Sequence, residues 1–304
     1  MAYKIALTGA SGFVGKNLSA YLKKTSACEL TQLTRNSLSE LVIYLQPHLD
    51  AIIHLAGKAH DLKNVSDPDE YYEVNFDLTK KLYDSFLQSN LEKFIFISSV
   101  KATADYTEVD LTEDTYPNPT THYGKSKLMA ENYIKSQPLP KGKSYFILRP
   151  CMIHGPGNKG NLNLLYKFVK KGIPYPLGGF KNKRSFLSVE NLCFIINELI
   201  TRNDIPSGVY QVADDEALST NEVVFTLATA LNIKPKLWKI SPAIVKFFAK
   251  VSDILHLPLT TERLNKLTES YVVSNQKIKK VLNKDLPLTA IEGLKITVNT
   301  FKKN

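Results

Sequence analysis

Residues 4–18, KIALTGASGFVGKNL, leave few architectures open to this chain. Ile5, Ala6 and Leu7 form a short apolar run with no polar face, the pattern of a parallel strand buried on both sides. The run breaks into Thr8-Gly9-Ala10-Ser11-Gly12, and a helical pattern begins at Phe13. A strand, a glycine turn and a helix N-terminus in that order make an anion site, because backbone N–H groups and the positive end of the helix dipole converge there. Gly9 permits the tight turn, Gly12 lets a pyrophosphate approach, and Gly15 lets helix and strand pack closely. Ser11, Phe13 and Val14 share this turn and are candidates for the same ligand. Taken alone, the stretch also fits an ordinary glycine turn.

The rest of the chain continues the alternation. Residues 29–33 read as a second strand ending at Thr34-Arg35-Asn36. Ligands bind at the carboxyl ends of strands in such sheets, so this terminus faces an adenosine ribose. Glu29 lies at the wrong end to accept from ribose hydroxyls. Arg35 suits a 2′-phosphate and favours NADP(H) over NAD(H), a solvated surface arginine being the plainer reading. Residues 38–45 read as a short helix and 51–56 as the next buried strand. The gap between the two strands is short, so a third strand is rudimentary or missing. Leu55, Ala56 and Gly57 follow at the carboxyl end, where the cofactor would lie, and structural roles are expected for His54 and His60. Asp67-Pro68-Asp69-Glu70 starts a helix that runs to about Ser89 through Asn75. Residues 94–97 form a strand ending in Ser98-Ser99, a helix covers about 123–135, and 145–148 is a strand closed by Arg149-Pro150. Such alternation indicates an α/β fold with a doubly wound parallel sheet.

Residues 1–157 plus 186–213 are expected to form the dinucleotide-binding domain. Residues 158–185 plus 214–304 form a smaller C-terminal lobe, with the return to the sheet through a helix over 189–201 and a last strand over 208–213. Ser219 and Glu222 make a capping box. Residues 242–257 carry apolar residues at helical spacing with Lys246 and Lys250 interleaved. The pattern predicts a lobe helix facing the core, a membrane-surface helix being the other reading it allows.

Composition restricts the class of function. The formal charge is +10, yet the lysines are scattered rather than blocked, which argues against nucleic acid. No apolar run approaches the roughly 20 residues that span a bilayer, and with a strand starting at residue 4 no signal peptide is expected. Cys28, Cys151 and Cys193 show no metal-type spacing and read as reduced thiols of a cytoplasmic protein.

Tyr123-Gly124-Lys125-Ser126-Lys127 carries the chemistry. Tyr123 and Lys127 share a helix face. A phenol has a free pKa of about 10, which a neighbouring ammonium and an oxidised nicotinamide would lower. Tyr123 could then exchange a proton with an alcohol oxygen while hydride moves to or from the nicotinamide. Lys127 would reach the nicotinamide ribose, and Ser99 would donate a hydrogen bond to the same oxygen.

The segments TGASGFVG, HLAG, EYYEVNFDLT, FIFISS, YGKSKLMAE, ILRPCMIHGPG and KRSFLSVENL, in this order, resemble the extended short-chain dehydrogenase/reductases of the nucleotide-sugar epimerase/dehydratase family. The resemblance implies a Rossmann-type domain and an enzyme with Tyr123, Lys127 and Ser99 as catalytic residues. It places Asn75, Ser98 and Pro150 at the cofactor and Arg184 on a nucleotide diphosphate, with Arg263, Asn161 and Lys101 as further substrate candidates. No metal is implied. A homodimer through the helices beginning near Tyr71 and Tyr123 is. Dehydratases of the family place Asp-Glu after the active-site hydroxyl, where this chain has Val100-Lys101, so dehydration is not expected. Epimerases often carry Val-Tyr-Gly there, against Ala102-Thr103-Ala104 here, and Thr121-His122 replaces the common Ser-Pro. Residues 98–101, 184–192 and 212–220 look more like bacterial reductases of 4-keto-6-deoxy-N-acetylhexosamine nucleotides. The expectation is a UDP-sugar C4 reductase for surface-polysaccharide precursors. A 4-epimerase and a non-catalytic NADP-sensing regulator are the alternatives.

Overall fold

The structure, a computed structural model, describes residues 2–25, 28–34, 49–59, 67–158, 160–255 and 260–302. Strand β1 (Tyr3–Thr8) leads into helix α1 (Phe13–Thr25), followed by β2 (Cys28–Leu33) and β3 (Ala51–His54). Helix α2 (Pro68–Tyr72) passes through a π-helical turn (Glu73–Asp77) into α3 (Leu78–Gln88). Strand β4 (Lys93–Ile97), helix α4 (His122–Ser136), strand β5 (Ser144–Pro150) and the short β6 (Met152–His154) come next. The remainder runs α5 (Asn161–Lys170), β7 (Phe186–Ser188), α6 (Val189–Thr201), β8 (Gly208–Val212) and α7 (Thr220–Ala230). It closes with α8 (Pro242–Ile254), α9 (Thr261–Thr268), α10 (Gln276–Leu282) and α11 (Ala290–Lys302).

Six strands form one parallel sheet in the order β2-β1-β3-β4-β5-β8, and β6 pairs with β7 separately. β1, β3 and β4 are apolar along nearly their whole length because helices cover both faces. On one face, α1, α6 and α10 pack on Ile5, Leu7, Ile53, Ile95 and Leu148. On the other, α3 and α4 pack on Ile52, Phe94, Phe96 and Ile147. The chain leaves β1 toward β2 on one side and returns to β3 on the other, so the crevice at the ends of β1 and β3 is the sheet's ligand site. Among the described residues the sheet ends at β2; the helix expected over 38–45 lies outside them.

A separate apolar cluster from α5, α7, α8, α9 and α11 builds the lobe, with Leu162, Leu227, Ala249, Leu264 and Leu294 inside it. Tyr271, Val273, Ile278 and Leu282 pack instead on the sheet cluster. The capping signals act locally as read: Asp67 accepts from the Asp69 N–H, and Ser219 with Glu222 forms a complete capping box. Among the described residues, an arginine–carboxylate pair is buried inside the molecule. Glu131 of α4, 0% exposed, accepts from Arg149 of β5 through Nε at 3.0 and 3.1 Å and Nη2 at 2.5 Å.

Three expectations need correction. The strand expected over 51–56 stops at His54, since 55–59 leaves the sheet to line the crevice. The helix expected from Asp67 to Ser89 is interrupted by the π turn, which inserts an extra residue into the helical register. Helix α8 buries only Val245, Ala249 and Ser252 and turns Phe247 and Phe248 outward.

Candidate active site

The turn after β1 is built on Gly9, whose φ of +69° lies in the left-handed region. A Cβ there would stand 2.7 Å from the Ala56 nitrogen, so the turn rests directly on the segment after β3. A Cβ on Gly15 would stand 2.3 Å from the Gly9 carbonyl oxygen, which is how closely α1 packs on its own turn. At Gly12 a Cβ would meet only the Gly9 oxygen, at 3.2 Å, and the outward side is open. First-turn N–H groups of a helix lack intrahelical acceptors, so the start of α1, with Phe13, Val14 and Gly15, and the open side of Gly12 make a cradle that fits a dinucleotide pyrophosphate. Ser11 is exposed beside it. The Phe13 ring borders Gly155 and Gly157 of the loop after β6.

A buried hydrogen-bonded chain holds the facing wall. Thr79 Oγ1 donates to the Asn75 carbonyl at 2.7 Å, so it accepts from His54 Nε2 at 2.9 Å. His54 Nδ1 then accepts from Thr8 Oγ1 at 2.7 Å, and Thr8 Oγ1 accepts from the Ala56 N–H at 3.1 Å. Burial, then the Lys127 charge, push the imidazole down to about 3, which keeps His54 neutral as this chain of bonds requires. The Asn75 side chain accepts from Lys58 N at 2.8 Å and donates to Lys58 O and Ser126 Oγ, both at 3.0 Å. The π turn thereby carries Asn75 to the segment Leu55-Ala56-Gly57. Thr8 and Thr79 were not singled out in sequence; the signal was a hydroxyl at the end of an apolar strand and another on an apolar helix face.

Tyr123 is the second residue of α4, after the Thr121 cap, whose Oγ1 accepts from Gly124 N at 3.2 Å. Its phenol lies beside the Ser99 hydroxyl, which acts to lower its pKa. Ser99 is 8% exposed and follows β4, and its Oγ also accepts from Lys101 N at 3.2 Å. Ser98 instead turns its hydroxyl inward to Glu131, and Pro150 ends β5 in the core. Lys127 is buried, its Nζ donating to the Ile97 carbonyl at 2.9 Å and lying 4.7 Å from the centre of the Phe96 ring. A Cβ on Gly57 would sit 3.0 Å from that Nζ and 3.0 Å from Asn75 Oδ1. Gly57, Asn75, Lys127, Ser99 and Tyr123 thus converge at the ends of β3 and β4.

Burial raises the Tyr123 phenol, the Ser99 hydroxyl opposes the rise, and Tyr71 adds to it. The Lys127 ammonium is turned onto the Ile97 carbonyl. Lys127 itself is pushed down to about 8 by burial, against the upward pull of Glu131 one turn along α4. The unfolded chain keeps this proton to about 10.5, so between about 8 and about 10.5 the unfolded state binds more protons and stability rises with pH. Lys127→Met is expected to flatten that rise in urea denaturation across the interval; an unchanged slope would contradict the assignment.

The substrate candidates fall in two groups. Lys101 donates to the Asp105 carbonyl at 2.7 Å and lies 4.5 Å from the centre of the Tyr271 ring. Its ammonium is within electrostatic range of Arg184, Lys266 and Glu269, so the structure brings Lys101 and Arg184 together. Arg184 Nε donates to the Glu269 carbonyl at 3.2 Å and Nη2 to the Lys266 carbonyl, which ties it to the end of α9. Asn161 opens α5 and Arg263 lies on α9, both exposed. Arg35 and His60 lie outside the described residues. No group of three or more His, Cys, Asp and Glu among the described residues could hold a metal.

The description NAD dependent epimerase/dehydratase family matches residues 5–213, from the first strand through β8. This chain belongs to that family. A UDP-glucose 4-epimerase of Vibrio cholerae is 32% identical, covering 99% of this chain and 96% of the relative. A GDP-6-deoxy-D-mannose reductase of Pseudomonas aeruginosa is 26% identical over 77% of this chain and 82% of its own. Among solved structures, a UDP-N-acetylglucosamine 4-epimerase from Bacillus cereus superposes with a TM-score of 0.78 at 22% identity, covering 99% of this chain and 100% of that one. As a family member the protein is an NAD(P)-dependent nucleotide-sugar enzyme of the epimerase and reductase type.

Proposed function

We propose that the protein is a cytoplasmic reductase acting at C4 of a UDP-linked 4-keto-6-deoxyhexosamine, in the synthesis of surface-polysaccharide precursors. Gly9, Ser11, Gly12, Phe13, Val14 and Gly15 hold the cofactor pyrophosphate, and Leu55, Ala56, Gly57, Asn75, Ser98 and Pro150 line the remainder of its site. Arg35 takes the 2′-phosphate of NADP(H). When bound, the reduced nicotinamide supplies hydride. Tyr123 Oη delivers the proton to the C4 oxygen, and Ser99 donates a second hydrogen bond to that oxygen as charge develops on it. Lys127 bonds the nicotinamide ribose. Arg184 and Lys101 hold the diphosphate and sugar, Arg263 and Asn161 extend that surface, and two chains pair through α2 and α4. Residues 1–157 plus 186–213 serve the cofactor, and 158–185 plus 214–304 the substrate.

The reductive direction draws support from the burial of the Tyr123 phenol. Burial raises the phenol, which favours the protonated form that a ketone reduction needs at its start. A 4-epimerase would need the phenolate first. That second reading draws support from the full-length Vibrio cholerae relative.

Reading the nucleotide of freshly purified protein separates the two. A reductase emerges largely empty and oxidises NADPH in step with a UDP-4-keto sugar. Retained NAD(H), with interconversion of UDP-sugars and no net oxidation, would replace this reading with epimerisation.

A further inference from the structure

Helix α8 exposes what a lobe helix normally hides. Ile244 is 51% exposed, Phe247 63%, Phe248 60%, Ile254 76% and the following Leu255 61%. At 3.6 residues per turn these side chains fall within an arc of about 120°. The small Val245, Ala249 and Ser252 occupy a second sector, against the lobe. Lys246 and Lys250 fill the third, exposed and without an ion pair among the described residues. Residues 223–252 contain no Asp or Glu and five lysines, at 234, 236, 239, 246 and 250. The acid that follows, Asp253, already accepts from the backbone and hydroxyl of Thr261.

We propose that α8 docks this enzyme on the surface of a bilayer containing anionic lipid. The outward sector sinks to the boundary of headgroups and acyl chains, and the lysine sector extends sideways to the phosphates. Charge complementarity selects this occupant over a second copy of the chain. A two-fold contact through α8 would bring both copies' lysines to the same seam, where the one carboxylate of this element, Asp253, is already engaged by Thr261. No helix among the described residues is long and apolar enough to cross a membrane, so the attachment is peripheral. It does not depend on which reaction the active site performs.

Vesicle flotation tests this directly. The full chain should float with vesicles of phosphatidylcholine and phosphatidylglycerol, not with phosphatidylcholine alone, and added salt should release it. Trp238, the single tryptophan, is 57% exposed four residues before α8, and its emission should shift to the blue on binding. Phe247→Ser with Phe248→Ser should weaken binding at least about tenfold. Lys246→Gln with Lys250→Gln should weaken it roughly thirtyfold. Both pairs lie on exposed positions and should keep the wild-type unfolding temperature. Absence of the wild-type chain from anionic vesicles would overturn the proposal. So would binding that neither variant reduces, or a wild-type dimer that the phenylalanine variant splits while vesicles stay bare.

Discussion

Tyr123→Phe is expected to lower kcat by about a thousandfold. The change removes one O–H and leaves the ring beside Tyr71, whose centroid lies 6.4 Å away. KM should stay within a few fold, because the substrate contacts assigned to Arg184 and Lys101 lie elsewhere. NADPH binding, followed by its fluorescence, should persist, since the turn on Gly9 and the anchor of Lys127 on Ile97 are untouched. Ser99→Ala should cost less, roughly a hundredfold, as the loss of one donor to the developing oxyanion. The measurement is steady-state turnover on a UDP-4-keto sugar. A Tyr123→Phe variant that keeps kcat within about threefold of wild type would remove the phenol from the reaction.

The second large effect concerns stability. Arg149→Met should destabilise the fold by about 3–5 kcal/mol, because it strands a carboxylate that has no access to water. Glu131 would retain only the Ser98 hydroxyl. Replacing both partners, Arg149→Met with Glu131→Leu, should recover most of the loss, since two apolar side chains leave nothing charged to solvate. Urea midpoints measured at constant m-value give the comparison. The double variant should also lower the Lys127 pKa further, as the Glu131 carboxylate is what pulls it upward. A single variant as stable as wild type would mean that the carboxylate takes up its proton at little cost.

What was legible in the sequence was what neighbouring residues decide among themselves. The strand, glycine turn and helix of residues 3–25, the Asp67 cap, the Ser219–Glu222 box and the helix over 189–201 all rest on contacts within a few positions. The meeting of Tyr123 with Ser99 was legible through the order of strands and the resemblance. The posture of Lys127 was not, since its acceptor is a carbonyl thirty residues earlier, at the end of β4. Arg184 is similar: its bonds to the end of α9 depend on how the lobe closes. Helix α8 misled for a different reason. Hydropathy shows that residues are apolar but not which of two apolar faces turns inward, and here the lobe admits only small side chains.

The turn carrying Asn75 has a mechanical corollary. One surplus residue rotates everything after it by about 100° relative to a continuous helix. Side chains ahead of it, Tyr71 and Tyr72, address α4, while those behind it, Leu82, Tyr83 and Phe86, are phased onto the sheet. The helix therefore works as two gears cut at different angles on one shaft. Excising a single amino acid between Glu73 and Asp77 would bring the teeth back into line and swing the amide of Asn75 off the Lys58 backbone.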